Sequence, residues 1–142
     1  MGRRPARGHR RVPHTADVRI EAWAPDRDGC LAEAVTALVE TFVDTAGASA
    51  DGSMTFDVPP GPDEDLLVAV LDELIFRLET EGTLPLSTAV EPGDGAGPRV
   101  RWRTVGTDAV DLVGAVPKAV SLHELRFGRT DEGWRALVTV DV

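Results

Sequence analysis

Residues 17–23 alternate, with Val18, Ile20 and Ala22 on one face and Arg19, Glu21 and Trp23 on the other, the period-two signature of a half-buried strand. The period then changes. From Asp28 onward Leu31, Ala34, Val35, Leu38, Val39 and Phe42 fall at helical spacing and make one apolar stripe, with Asp26 or Asp28 available as the N-cap. A short strand is predicted at 54–58. After Pro59-Pro60-Gly61-Pro62, the carboxylates of Asp63, Glu64 and Asp65 suit the positive end of a second helix. Leu67, Val70, Leu71, Leu74, Ile75 and Leu78 repeat the stripe there, and Gly82 ends it.

The remainder predicts strands. Residues 84–90 and 99–105 flank the glycine-rich EPGDGAGP as a hairpin, and 110–113 reads as a further short strand. A long strand at 116–127, a turn at 128–133 and a last strand at 134–141 complete the chain. Strand runs with only two helices indicate an α+β fold, a mostly antiparallel sheet with two amphipathic helices packed on its apolar face. Neither GxGxxG, GxxxxGK[ST], HExxH nor GxSxG occurs, which removes the Rossmann, P-loop, zincin and nucleophile-elbow readings.

The 142 residues, 42% of them apolar, suffice for one real core. Charge is uneven. Residues 1–11 hold five arginines and no acid, whereas the rest carries 10 basic against 24 acidic residues. The expectation is a flexible basic arm at 1–11 and a single domain at 12–142. So acidic a body repels phosphate backbones, so direct nucleic-acid binding by the folded domain is not expected. No apolar run approaches the ~20 residues that span a bilayer, and no apolar segment follows the first arginines. The single cysteine, Cys30, adjoins the first helical stripe and reads as a small core hydrophobe in a reducing, cytoplasmic protein.

Three places could carry chemistry. If Phe127 faces Trp134 across the last hairpin, Asp141 lies opposite Val120 and on the face of Lys118. Lys118 is the only lysine beside fourteen arginines, and an ammonium is a compact point charge that a planar guanidinium does not replace. Asp141 is followed at once by the terminal carboxylate of Val142, and carboxylate oxygens without thiols suit a hard divalent cation. The polar cluster His14-Thr15-Ala16-Asp17 precedes the first strand, where Asp17 could coordinate a cation and His14 or Thr15 support it by hydrogen bonding. His123 lies on a predicted strand and reads as a surface or half-buried residue rather than a catalyst, and it joins His14 and Thr15 as a candidate to support the cation by hydrogen bonding. By chemistry alone these residues also fit a metal-dependent hydrolase built on Asp17, Asp141 and Lys118. An acidic, chaperone-like adaptor without a dedicated site is a further possibility.

Four stretches in order, PHTADVRIEAW, DLLVAVLDELIFRLETEG, VPKAVSLHEL and WRALVTVDV, resemble the archease family across nearly the whole chain. The resemblance implies a small α+β protein without enzymatic activity of its own. It would activate the GTP-dependent RNA ligase of tRNA splicing and RNA repair, speeding ligase guanylylation and allowing multiple turnover. Carried over by position, the functional residues are Asp17, Lys118 and Asp141. The implied cation, Ca²⁺ with Mg²⁺ or Mn²⁺ as alternatives, is held by Asp17, Asp141 and a main-chain oxygen of Val142. The chain departs from the family in Val12-Pro13 ahead of HTAD, in Leu122, and in having no tyrosine.

Overall fold

The computed structural model describes residues 6–12 and 17–142. The alternation at the start becomes strand β2, Val18–Ala24, whose Val18, Ile20, Ala22 and Ala24 are all buried. Helix α1, Arg27–Phe42, begins where the Asp26 side chain accepts the Gly29 N–H at 2.6 Å, so Asp26 is the cap. Helix α2, Asp63–Glu81, starts after Pro62 with three acidic residues in its first turn. It ends at Gly82 in the left-handed conformation (φ 64°), whose N–H reaches the carbonyls of Arg77 and Leu78. Both predicted stripes are buried, Leu31, Leu38, Phe42, Leu67, Leu71 and Leu74 completely.

The strands divide into three antiparallel sheets, where the sequence suggested one. The largest joins β1 (Gly8–Val12), β2, β9 (Gly133–Asp141) and β8 (Ala119–Thr130), in the order β1-β2-β9-β8. A second joins β4 (Gly52–Asp57), β6 (Pro98–Gly106) and β5 (Thr83–Pro92) in the order β4-β6-β5. The third is a two-residue pairing of β3 (Val43–Asp44) with β7 (Asp111–Leu112). Helix α1 packs on β2 and β5 and α2 on β8 and β5, so the helices bridge the two larger sheets and one core serves both. The α+β fold of antiparallel strands with two packed helices is the expected one, and its partition is hidden in the sequence because two sheets sharing one helical layer leave the same alternating pattern as one.

Strand β1 corrects the expectation of a flexible arm at residues 8–11, because Gly8 to Val12 pair in register with Trp23 to Arg19, while residues 1–5 of that arm lie outside the described residues. Ion pairs to neighbouring elements hold this segment. Arg10 Nε donates to Glu21 Oε1 at 2.9 Å, and Arg7 Nε to Glu33 Oε2 at 2.5 Å. His9 bridges to α1, with Nδ1 at 2.6 Å from Glu33 and Nε2 against Glu40. Gly8 is required where it stands, since a Cβ there would meet the Trp23 indole at 2.6 Å.

Among the described residues Glu21 is the polar residue most deeply sequestered, 1% exposed on the helix-distant face of β2. Arg135 of β9 clamps it from the other side, Nε at 2.6 Å and Nη2 at 2.5 Å from Oε2. One carboxylate therefore ties β1, β2 and β9 together on the face where no helix packs.

Candidate functional site

The pairing of β2 with β9 sets Val18 against Val140. One step further out, the same register sets Asp17 against Asp141. Directly opposed residues of antiparallel strands share a face and have Cβ atoms roughly 4.5–5.5 Å apart. Val18 and Val140 are both buried towards the helices, and Asp17, in the bend just ahead of β2, has one carboxylate oxygen, Oδ1, buried. Asp17 is half-buried and Asp141 exposed. Two residues 124 positions apart in sequence thus become neighbours at the end of one sheet, because β9 is a central strand and β2 enters it from the HTAD side.

Lys118 reaches the same place from β8. Its N–H donates to the Asp141 carbonyl at 2.8 Å, immediately before Ala119 pairs with Asp141. The expected register is corrected here. Phe127 opposes Ala136 rather than Trp134, and Asp141 opposes Ala119 rather than Val120. Strand β8 runs to Thr130, so the turn shrinks to Asp131 and Glu132, and the ladder is broken between Ser121 and Arg126. Five steps along β8 match only two along β9 there, leaving residues 122–125 as an extended bulge. Lys118 consequently opposes Val142, and strict alternation puts its exposed side chain on the other side of the strand from Asp141. The lysine and the carboxylates are joined through the backbone at the sheet's end and not by a diagonal side-chain pair.

The bulge carries its own strain. Glu124 adopts φ 58°, the only left-handed non-glycine among the described residues, which costs about 1–2 kcal/mol. A local turn supports it, with the Ser121 hydroxyl accepting the His123 N–H at 3.2 Å. His123 projects into solvent, its Nε2 at 3.6 Å from Glu124, which corrects the expectation that it supports the cation ligands. His14 and Thr15 lie outside the described residues.

The donors at this end of the sheet are carboxylate and main-chain oxygens, a set that suits a hard divalent cation and not zinc. Among the described residues, no three His, Cys, Asp or Glu side chains converge into a metal-holding group, so a cation here would depend on the oxygens of Val142 as well as on Asp17 and Asp141. Cys30 is no rival centre. Burial, with added charge from Glu33, pushes its thiol up to about 12, and its Sγ donates to the Ala22 carbonyl at 3.6 Å.

A model of the Archease protein family (MTH1598/TM1083) matches residues 9–142. The chain is 50% identical over 135 residues to the probable protein archease of Mycobacterium tuberculosis, spanning 95% of this chain and 75% of that one. It is 30% identical over 136 residues to the protein archease of Archaeoglobus fulgidus, spanning 94% and 98%. The fold matches the solution structure of Methanobacterium thermoautotrophicum protein 1598 with TM-score 0.72 at 22% identity, over 95% of this chain and 99% of that one. It also matches the crystal structure of a Thermotoga maritima archease, called a possible chaperone, with TM-score 0.65 at 21% identity, over 100% and 98%.

Proposed function

This chain belongs to the archease family, and from that premise we propose that it is a non-enzymatic protein cofactor of the GTP-dependent RNA ligase that acts in tRNA splicing and RNA repair. It promotes guanylylation of the ligase and so allows repeated turnover. The observation that supports this reading is the approach of three separated stretches at one sheet end: Val18, next to Asp17, pairs with Val140, next to Asp141, and the Lys118 N–H donates to the Asp141 carbonyl.

In this reading Asp17, Asp141 and the Val142 main-chain oxygen hold a divalent cation, Ca²⁺ with Mg²⁺ and Mn²⁺ as alternatives. When bound, it supplies positive charge for a phosphate oxygen. Lys118 adds a mobile ammonium at the rim, able to hold a phosphate of GTP or an acidic group of the ligase. Asp141 would serve both elements, its carboxylate as a cation ligand and its carbonyl accepting the Lys118 N–H of the chain entering β8. The partner is thus a protein and the setting cytoplasmic; no helix among the described residues is long and apolar enough to cross a membrane.

The test mixes the purified chain with the ligase and GTP and measures ligase guanylylation. Acceleration by the wild type, with collapse for Asp17→Asn, Asp141→Asn and Lys118→Ala at unchanged melting temperature, is the expected result. Lys118→Arg should rescue poorly, because the broader guanidinium does not take the ammonium's place. A wild-type chain that leaves the guanylylation rate unchanged refutes the reading.

A further inference from the structure

The chain's net charge of -9 is an average, and on the helix-distant face of the four-stranded sheet the balance reverses. The strand registers put Arg10, Glu21, Leu137 and Arg126 on one rung across β1, β2, β9 and β8. The neighbouring rungs are Arg19, Thr139 and Ser121 on one side and Trp23, Arg135 and Gly128 on the other. Opposed residues of paired strands share a face, as do residues two apart along one strand, so the three rungs make one surface. The opposite face, with Ile20, Ala22, Phe127, Ala136 and Val138, is buried in the core under the helices.

This surface carries four guanidiniums and one carboxylate. Glu21 is shared by Arg10 and Arg135, whereas neither Arg19 nor Arg126 makes an ion pair among the described residues, and Arg19 Nε is buried without a hydrogen-bond partner. Strand spacing and rise place the four arginine Cα atoms within roughly 14 Å of one another. A cavity of about 540 Å³ adjoins them, lined by Arg126, Gly128, Arg135 and Leu137 of this face and also by Glu64 and Glu124. Asp17 and Asp141 lie beyond the outermost rung, at the end of the sheet.

We propose that this basic face binds the phosphodiester backbone of single-stranded RNA, with Arg19 and Arg126 as the phosphate contacts and Arg10 and Arg135 held beside them by Glu21. A planar guanidinium donates two parallel N–H bonds to a phosphate. The acids elsewhere on the chain do not cancel this, because at physiological salt charges more than about 8 Å away are largely screened. A protein is the poorer occupant: protein contacts need apolar anchors, and none of the large exposed apolar side chains belongs to these rungs. A duplex groove admits a helix or a two-stranded ribbon and not four strands, which leaves a single strand. The Thr139 and Ser121 hydroxyls beside Arg19 suit a ribose 2′-hydroxyl. The inference goes beyond the ligase-activator reading and does not depend on it.

The experiment titrates the full chain into a fluorescein-labelled single-stranded oligoribonucleotide and follows anisotropy at several salt concentrations. The variants are Arg126→Gln, Arg19→Gln/Arg126→Gln, Arg103→Gln on exposed β6, and Arg3→Gln/Arg4→Gln near the N-terminus. The wild type should bind with a dissociation constant of about 10⁻⁶–10⁻⁴ M that weakens with salt. Arg19→Gln/Arg126→Gln should bind at least about tenfold more weakly and flatten the logarithmic salt slope by about 1.4, two phosphate contacts at about 0.7 each. Arg126→Gln alone, an exposed change that leaves melting nearly unchanged, should flatten it by about 0.7. Arg103→Gln and Arg3→Gln/Arg4→Gln should bind within about threefold of the wild type. A wild type that does not bind at low salt overturns the proposal, as does a natively melting Arg126→Gln with wild-type affinity and slope. If poly-glutamate displaces the RNA at equal charge concentration, the face is a site for protein carboxylates and the proposal is overturned. No ligase is present, so either failure leaves the activator reading standing.

Discussion

Replacing Glu21 by alanine should be the most damaging single change on the solvent-facing side of the four-stranded sheet. The carboxylate is 1% exposed and accepts from Arg10 on β1 and, through two nitrogens, from Arg135 on β9. Removing one partner of a fully buried ion pair costs about 3–5 kcal/mol, because the survivor is left charged and dry. Here the survivors are not dry: the Arg10 and Arg135 side chains are 59% and 46% exposed, so water recovers part of the loss. Charge-assisted hydrogen bonds contribute about 1.5–3 kcal/mol each before that discount, and together these bounds place Glu21→Ala at about 2–3 kcal/mol. For a domain of this size that lowers the melting temperature by roughly 5–10 °C. Glu21→Gln should recover only part, since its amide keeps one acceptor but turns a donor towards the other guanidinium. Urea unfolding at constant m-value gives the energy, and hydrogen exchange locates it, with β1 amides losing protection before those of β2 and β9. A Glu21→Ala loss below about 0.5 kcal/mol, the ordinary size of a surface change, would refute the idea that this carboxylate locks the three strands.

Two other predictions concern titration and reactivity. Partial burial of His9 works against its charged form, but hydrogen bonds and charge from Glu40 and Glu33 outweigh it and raise its pKa above 6.5, so its contribution is complete below about pH 6.5 and is lost as pH rises through the folded value. Glu33 is likewise opposed by burial yet lowered below 4.5 by Arg7 and His9, so its share is present above about pH 4.5 and is lost as pH falls through its folded value. The stability difference between wild type and His9→Gln should therefore peak between about pH 4.5 and 6.5; a difference that stays flat from pH 5.5 to 8.5 refutes the bridge. Cys30, fully buried with its thiol pushed up to about 12, should resist a thiol reagent in the native protein and react only on unfolding; modification at the rate of a free thiol would refute its placement.

The core of this fold is legible because its signals are redundant. Each helix carries a stripe, a capping or dipole-matched start and, for α2, a glycine stop, and the three agree on nearly the same boundaries. Strand β1 has no such redundancy. GHRRV shows no apolar alternation, because its partners are carboxylates on α1 and β2 that no local pattern can see. Sheet partition is hidden for a similar reason: periodicity reports that a strand has a buried face, and is silent on which neighbour it hydrogen-bonds.

The candidate site depends on register, and register is where local reading fails most sharply. A one-residue slip flips every side chain to the other face, and placing Asp141 opposite Val120 instead of Ala119 was such a slip. The sequence did hold a sign of the bulge responsible. Apolar positions in β8 run on even numbers at Val120 and Leu122, then on odd numbers at Leu125 and Phe127, a phase change that a regular strand cannot make. Reading that change as extra residues in β8 would have moved Lys118 out of diagonal contact with Asp141. It would also have marked Leu122 as the residue expelled from the sheet. The alignment of β2 with β9 rests on firmer ground, because it needs only that the two strands pair antiparallel with their buried valines aligned, and Val18 and Val140 each sit next to an aspartate in the sequence. The valine pair follows from burial, which composition dictates, whereas the lysine's register follows from a bulge strained at Glu124 that burial alone does not require.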